Sequence, residues 1–96
     1  LRMARSIAGH DKGQVYVLLG EEDRDYYLVN GENRLVDQPK RKRKTHVQLI
    51  KNVPAVLAAQ AEATERWTDE SVRNIIRQNI KIRRKPQDSS RRRGYG

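Results

Sequence analysis

Residues 6–20 read SIAGHDKGQVYVLLG, and the interpretation of this stretch decides the fold. Gly9 and Gly13 bracket His10, Asp11 and Lys12, and an apolar run follows at once. In that run Val15, Val17 and Leu19 alternate with Tyr16 and Leu18, which is a strand of period two, partly buried on both faces. The glycines therefore frame a turn that feeds a strand, with glycine tolerating the positive φ that turns demand. A phosphate loop would need G-x-x-x-x-G-K-S/T ahead of a helix. Here Lys12 precedes the second glycine, Gln14 and Val15 follow it, and the next element is extended. The amide cradle and the helix dipole are both missing. A catalytic pairing of His10 with Asp11 lacks a placed serine or cysteine nucleophile and a deep pocket. Two readings of the turn stay open. Either its polar residues face water, or it contacts a nucleic-acid backbone, with Lys12 and His10 meeting phosphates while the glycines allow close approach.

Working outward, a short strand is expected around Met3 to Ser6 and an acidic loop at Glu21 to Asp25. A strand is expected at Tyr26 to Val29. Asn30 and Gly31 both accept positive φ, so they predict a tight hairpin turn, with Arg34 to Val36 as the return strand. Pro39 limits the next boundary, and Thr45 to Ile50 reads as a further strand. Short strands with glycine-bearing turns predict a small barrel or curled sheet. The pattern then turns helical. Val53, Val56, Leu57, Ala61, Thr64 and Trp67 recur at helix spacing, with Asn52 as the expected N-cap and Pro54 in the first turn. Thr68 is the stronger cap, offering its hydroxyl to the amide of residue 70 or 71, with Asp69 and Glu70 favouring the positive end of the dipole. Trp67 is expected to pack on Val72 as a staple. Ile75, Ile76 and Ile80 continue the apolar stripe. Arg73, Arg77, Lys81 and Arg84 form a basic ridge beside it, and Pro86 is expected to end the helix.

Ninety-six residues is one domain by size, and with 35% apolar residues and no Phe its core is modest. The chain has no cysteine, which removes disulfides, thiolate metal sites and thiol nucleophiles and fits a reducing compartment. Its two histidines, His10 and His46, are too few for a zinc site, and no cofactor is expected. No stretch approaches a membrane span, and the first residues carry no apolar signal segment, so a cytoplasmic location is expected.

The net charge of +9 is unevenly spread. Residues 1–39 sum to −2 and residues 52–72 to −3, whereas residues 40–51 hold six basic groups and no acid, and residues 73–96 sum to +8. Lys and Arg are ordinary surface residues, yet two separate basic blocks in so small a chain suit a polyanion, because each neutralised phosphate releases counterions. The five adjacent charges Lys40, Arg41, Lys42, Arg43 and Lys44 outnumber the acids near them in sequence. If extended, this run points alternate side chains to opposite sides, so only part of it can meet one phosphate rail. Tyr16, Tyr26 and Tyr27 can stack bases where exposed, but core packing is expected for at least two of them.

Ala8-Gly9-His10-Asp11-Lys12-Gly13, followed by Val15-Tyr16-Val17 and closed by Asn30-Gly31, resembles the KOW motif of ribosomal proteins and transcription-elongation factors. The longer phrase from Ser6 to Gly13 is similar to the opening of small bacterial RNA-binding KOW proteins. These in turn resemble a large-subunit ribosomal protein of archaea and eukaryotes. The resemblance implies an SH3-like β-barrel over residues 1–50 and RNA-contacting surfaces near Gly9 to Gly13 and Lys40 to Lys44. It covers residues 51–82 by general pattern only. The chain departs from the family at His10, where a basic residue is usual, and at Met3-Ala4, where β-branched residues are usual. The triplet Arg91-Arg92-Arg93 lies outside the pattern. The bacterial resemblance also argues against reading Lys40 to Lys44 as a nuclear-import signal.

The resulting expectation is an α+β chain. It has an SH3-like barrel at 1–50, a two-helix extension packed on it at 51–85, and a basic disordered end at 86–96. It would be a non-enzyme that binds structured ribosomal RNA through backbone phosphates, in association with the ribosome, its assembly or its proteins. The contact residues expected are His10, Lys12, Lys40 to Lys44, Arg73, Arg77 and Lys81, with Gly9, Gly13, Asn30 and Gly31 shaping turns. No membrane and no small-molecule substrate are expected. An SH3-like adaptor of transcription or translation, presenting the acidic loop to a protein, and a DNA-binding KOW module stay open as alternatives.

Overall fold

A computed structural model of the chain describes the backbone of residues 1–92 and the side chains of residues 1–83. Five strands and two helices follow in order: β1 (Met3–Ser6), β2 (Val15–Glu21), β3 (Asp25–Val29), β4 (Lys40–Arg43), β5 (Val47–Leu49), α1 (Ala55–Ala63) and α2 (Asp69–Arg92). A 3-10 turn over Lys44–His46 joins β4 to β5. All pairings are antiparallel and the strand order is β4-β3-β2-β1-β5.

The α+β content agrees with the sequence pattern, but the expected SH3-like barrel is not formed. The sheet is open, with β4 and β5 as its two edges and no ladder between them. The physical reason lies in those two strands. β5 has three residues and spends its pairing on β1, while β4 consists only of Lys and Arg, the composition that blunts a sheet edge. The 3-10 turn between them breaks the extended run that would be needed to continue the ladder.

The return strand expected at Arg34 to Val36 is also absent. Only an isolated bridge, Leu35 to Gln38, occurs there, and β3 pairs instead with β4. Asn30 and Gly31 do not make a two-residue hairpin. Gly31 has φ +77°, but Asn30 stays at negative φ and acts through its side chain. Its Oδ1 accepts hydrogen bonds from the amides of Glu32, Asn33 and Arg34 at 3.0, 3.2 and 3.0 Å, organising the longer connection to β4.

Period two divides the apolar residues of the sheet between two clusters. Met3, Val17 and Val29 share one face with Leu57 of α1 and Val72 and Ile75 of α2. Ala4, Tyr16, Leu18, Tyr26, Leu28 and Val47 fill the other. The strand read at Val15 to Leu19 is thus buried on both faces, because its two sides serve different cores. Tyr16 and Tyr26 are core residues, as expected of two of the three tyrosines.

The helices depart from the sequence pattern at their ends. α1 begins after Pro54, without a side-chain cap, so Asn52 and Val53 lie outside it. It ends at Ala63, short of Trp67. It buries one side chain completely, Leu57, a contribution of about 2 kcal/mol. Thr68 does cap α2: its Oγ1 accepts from the Ser71 amide at 3.1 Å, and Asp69 and Glu70 occupy the first turn. Trp67 is half-buried against the helix-side core that contains Val72. The backbone of α2 continues through Pro86, past the stop expected there. Of the expected basic end at 86–96, the side chains and residues 93–96 lie outside the described residues.

Gly31 fixes where α2 begins. A Cβ added there would overlap the Asp69 carbonyl oxygen and stand 2.7 Å from Arg73 Cγ. The β3–β4 connection is pinned to the helix by two further contacts. Arg73 Nη1 donates to the Gly31 carbonyl at 2.7 Å, and the Val36 amide donates to Asp69 Oδ1 at 2.8 Å.

Candidate nucleic-acid interface

The Gly9–Gly13 turn is built as its glycines predict, with φ +87° at Gly9 and +93° at Gly13. Backbone bonds from Lys12 to the Gly9 carbonyl, Gly13 to Ser6 and Gln14 to Asp11 close it at 3.2, 2.8 and 2.9 Å. A strand follows, so no helix N-terminus faces the turn. His10 and Lys12 are exposed, and Lys12 has no side-chain partner among the described residues. Asp11, between them, turns inward. Its carboxylate accepts from Ser6 Oγ at 2.9 Å, Tyr16 Oη at 2.6 Å and Lys42 Nζ at 2.9 Å, with Lys40 Nζ at 3.5 Å. Burial pushes the Asp11 carboxyl up. The bonds from Tyr16, Lys42 and Ser6 and the charge of Lys40 outweigh that and hold it well below the usual carboxylate range. Burial, then the bond to Asp11, pushes the Tyr16 phenol up.

This arrangement sorts the basic run. Strand β4 pairs Lys42 with Tyr26 and Lys40 with Leu28, both of the Tyr16 core, so these two lysines face inward toward Asp11. Lys42 is 9% exposed and also donates to the Ala8 carbonyl at 3.0 Å. Arg41 and Arg43 face the other way, 64% and 59% exposed, at 3.2 and 3.6 Å from Asp25. Lys44 meets Glu21 at 2.8 Å, and Arg2 shares that carboxylate at 2.6 Å. Glu21 reaches them because a bulge between Leu18 and Gly20 shifts the register and sets Glu21 opposite Tyr26. Hydrogen bonds from Lys44 and Arg2 hold the Glu21 carboxyl below its ordinary value, and the bond to Glu21 raises Lys44.

Every residue of the run therefore lies within ion-pair distance of a carboxylate, but the acids are shared and the five charges are not all neutralised. Three carboxylates, Asp11, Asp25 and Glu21, serve the five cations and Arg2 as well, so positive charge remains in excess. The excess is presented by Arg41 and Arg43, not by Lys42.

The α2 ridge lies on the helix-covered side of the sheet, across it from Asp11 and Lys42. Arg73 is committed to Gly31, whereas Arg77 and Lys81 are exposed and have no ion pair among the described residues. The structure thus brings the Gly9–Gly13 turn and β4 together, through Asp11, and leaves the ridge apart from them.

A third basic group was not legible in the sequence. Arg5, Lys51 and Arg83 line a groove of about 210 Å³ with Gln48 and Asn52. Their separation along the chain, in segments otherwise read as strand, linker and helix, carried no signal.

Among the described residues, no set of three or more His, Cys, Asp or Glu side chains could hold a metal ion, and no helix is long and apolar enough to cross a membrane. No family model matches the chain, and no curated protein matches it in sequence.

Proposed function

We propose that this chain is a non-catalytic RNA-binding protein that holds structured RNA, ribosomal RNA first among candidates, through backbone phosphates. The observation that carries the reading is the excess of exposed cations over carboxylates. Lys12, Arg77 and Lys81 have no acidic partner among the described residues, and Arg41 and Arg43 share one carboxylate while staying more than half exposed. Such groups neutralise phosphates without reading base edges, which suits recognition by shape and charge. The KOW-like phrase at residues 6–17 supports a ribosome-associated role in the cytoplasm. His10, exposed beside Lys12, is the second contact of that turn.

The adaptor alternative draws less support from the geometry. Glu21 is occupied by Lys44 and Arg2 and Asp25 by Arg41 and Arg43 of β4, and Glu22 accepts from Tyr27 Oη at 2.6 Å, which leaves Asp23 as the uncommitted acid of the loop among the described residues.

A mobility-shift titration with ribosomal RNA at several salt concentrations, with duplex DNA as competitor, tests the proposal. Binding at low salt that weakens steeply with added salt and resists DNA competition is expected. Absence of binding at low salt rejects it.

A further inference from the structure

We propose that the groove between β5 and the C-terminal part of α2 seats a phosphodiester of the bound RNA, an inference that rests on the RNA-binding reading above. The β1–β5 pairing sets Arg5 opposite Gln48, and both share the face of Met3, which the helices cover. Lys51 and Asn52 follow β5 directly and bring a second cation and a side-chain amide to the same place.

Arg83 completes the set and is held in position by the protein. Its Nε donates to Asn79 Oδ1 at 3.2 Å and its Nη2 to the Asn52 carbonyl at 3.2 Å. Asn79 is 2% exposed, so its orientation is fixed by packing. Of the five N–H groups of a guanidinium, these two bonds leave about three for an outside acceptor. A tethered arginine with free donors suits a phosphate oxygen better than a floppy one, because its ordering has already been done by the fold.

Three cations converge on the groove; among the described residues no carboxylate lines it and none of the three makes an ion pair. Their mutual repulsion is relieved by an anion. The volume of about 210 Å³ admits a phosphate group with its sugar linkages.

The test measures binding of a fluorescently labelled ribosomal RNA fragment by anisotropy across a salt series. Wild type is compared with Arg5→Gln, Lys51→Gln and Arg83→Gln, and with Arg66→Gln as a control of equal charge change away from the groove. Circular dichroism verifies folding. Lys51→Gln removes no internal side-chain bond among the described residues, so it remains informative if Arg83→Gln disturbs the helix. Each groove variant is expected to weaken binding about tenfold and lower the salt slope by about one, with Arg66→Gln close to wild type. If wild type binds and the groove variants match Arg66→Gln, the groove assignment fails while the RNA reading stands. If wild type does not bind, both fail. If inorganic phosphate at constant ionic strength displaces the RNA, the site belongs to free phosphate and the assignment is overturned.

Discussion

The Asp11 carboxylate and the Lys42 ammonium lie 2.9 Å apart beneath the Gly9–Gly13 turn, with side chains 12% and 9% exposed. The most basic segment of the chain thus spends a central lysine on internal structure, and the turn that looked chemical spends its aspartate on the same pair.

Lys42→Gln is expected to cost about 2 kcal/mol, because it leaves a largely buried carboxylate without its nearest charge partner, though Lys40, Tyr16 and Ser6 remain. Urea titration measures the loss. The variant's RNA salt slope, measured below its unfolding range, should stay at the wild-type value. A drop in slope with unchanged stability would place Lys42 on the binding surface instead.

Arg41→Gln combined with Arg43→Gln should do the reverse. Both side chains are exposed and share Asp25, so the stability change should stay below about 1 kcal/mol. The salt slope of RNA binding should flatten. An unaltered slope would move the contact surface away from β4.

The acid limb of stability should depend on Asp11. Its folded pKa is depressed, so its contribution is fully present above the unfolded value of about 3.9 and is lost as pH falls below that toward the folded value. Thermal melts should be flat from neutral pH down to about pH 5 and decline below about pH 4. Asp11→Asn should be less stable at neutral pH and should lose most of that decline. Glu21 shifts in the same direction, but it is exposed and screened by salt, so its share should vanish at high ionic strength.

Gly31→Ala and Gly13→Ala separate backbone strain from steric overlap. Both positions have positive φ, but only Gly31 has atoms in the space a Cβ would occupy. Gly13→Ala should cost about 1 kcal/mol and Gly31→Ala about 3 kcal/mol in a urea titration. Equal costs would show that the β3–β4 connection is not held against α2 as described.

Thr68→Ala should cost about 1 kcal/mol through loss of the bond to the Ser71 amide. Hydrogen exchange should speed up in the first turn of α2 and leave the Asp11 turn protected. Faster exchange at both would mean that the helix supports the far face of the sheet as well.

Local rules carried much of the structure. Alternation marked β2, and short strands were expected where β1 and β3 form. Glycine placement marked the positive φ at Gly9, Gly13 and Gly31. A hydroxyl before two acids marked the start of α2. Each of these signals depends on a few neighbouring residues. The basic strand escaped because alternation is visible only where apolar and polar residues contrast, and Lys40 to Arg43 offer none. The missing return strand escaped for a related reason: any strand after Asn30-Gly31 would have satisfied the turn rule, and β3 chose β4.

The sequence by itself determined the strand-feeding turn, the helix cap and the absence of a phosphate loop, since these follow from dihedral preference and hydrogen bonds within a few residues. The tertiary structure decided that the sheet stays open, which lysines of the basic run point inward, and which arginines meet in one groove. Those outcomes depend on strand register and on charges brought close from distant segments, Asp11 paired with Lys42 and Arg5 set in one groove with Arg83, and proximity between remote residues leaves no local trace in the chain.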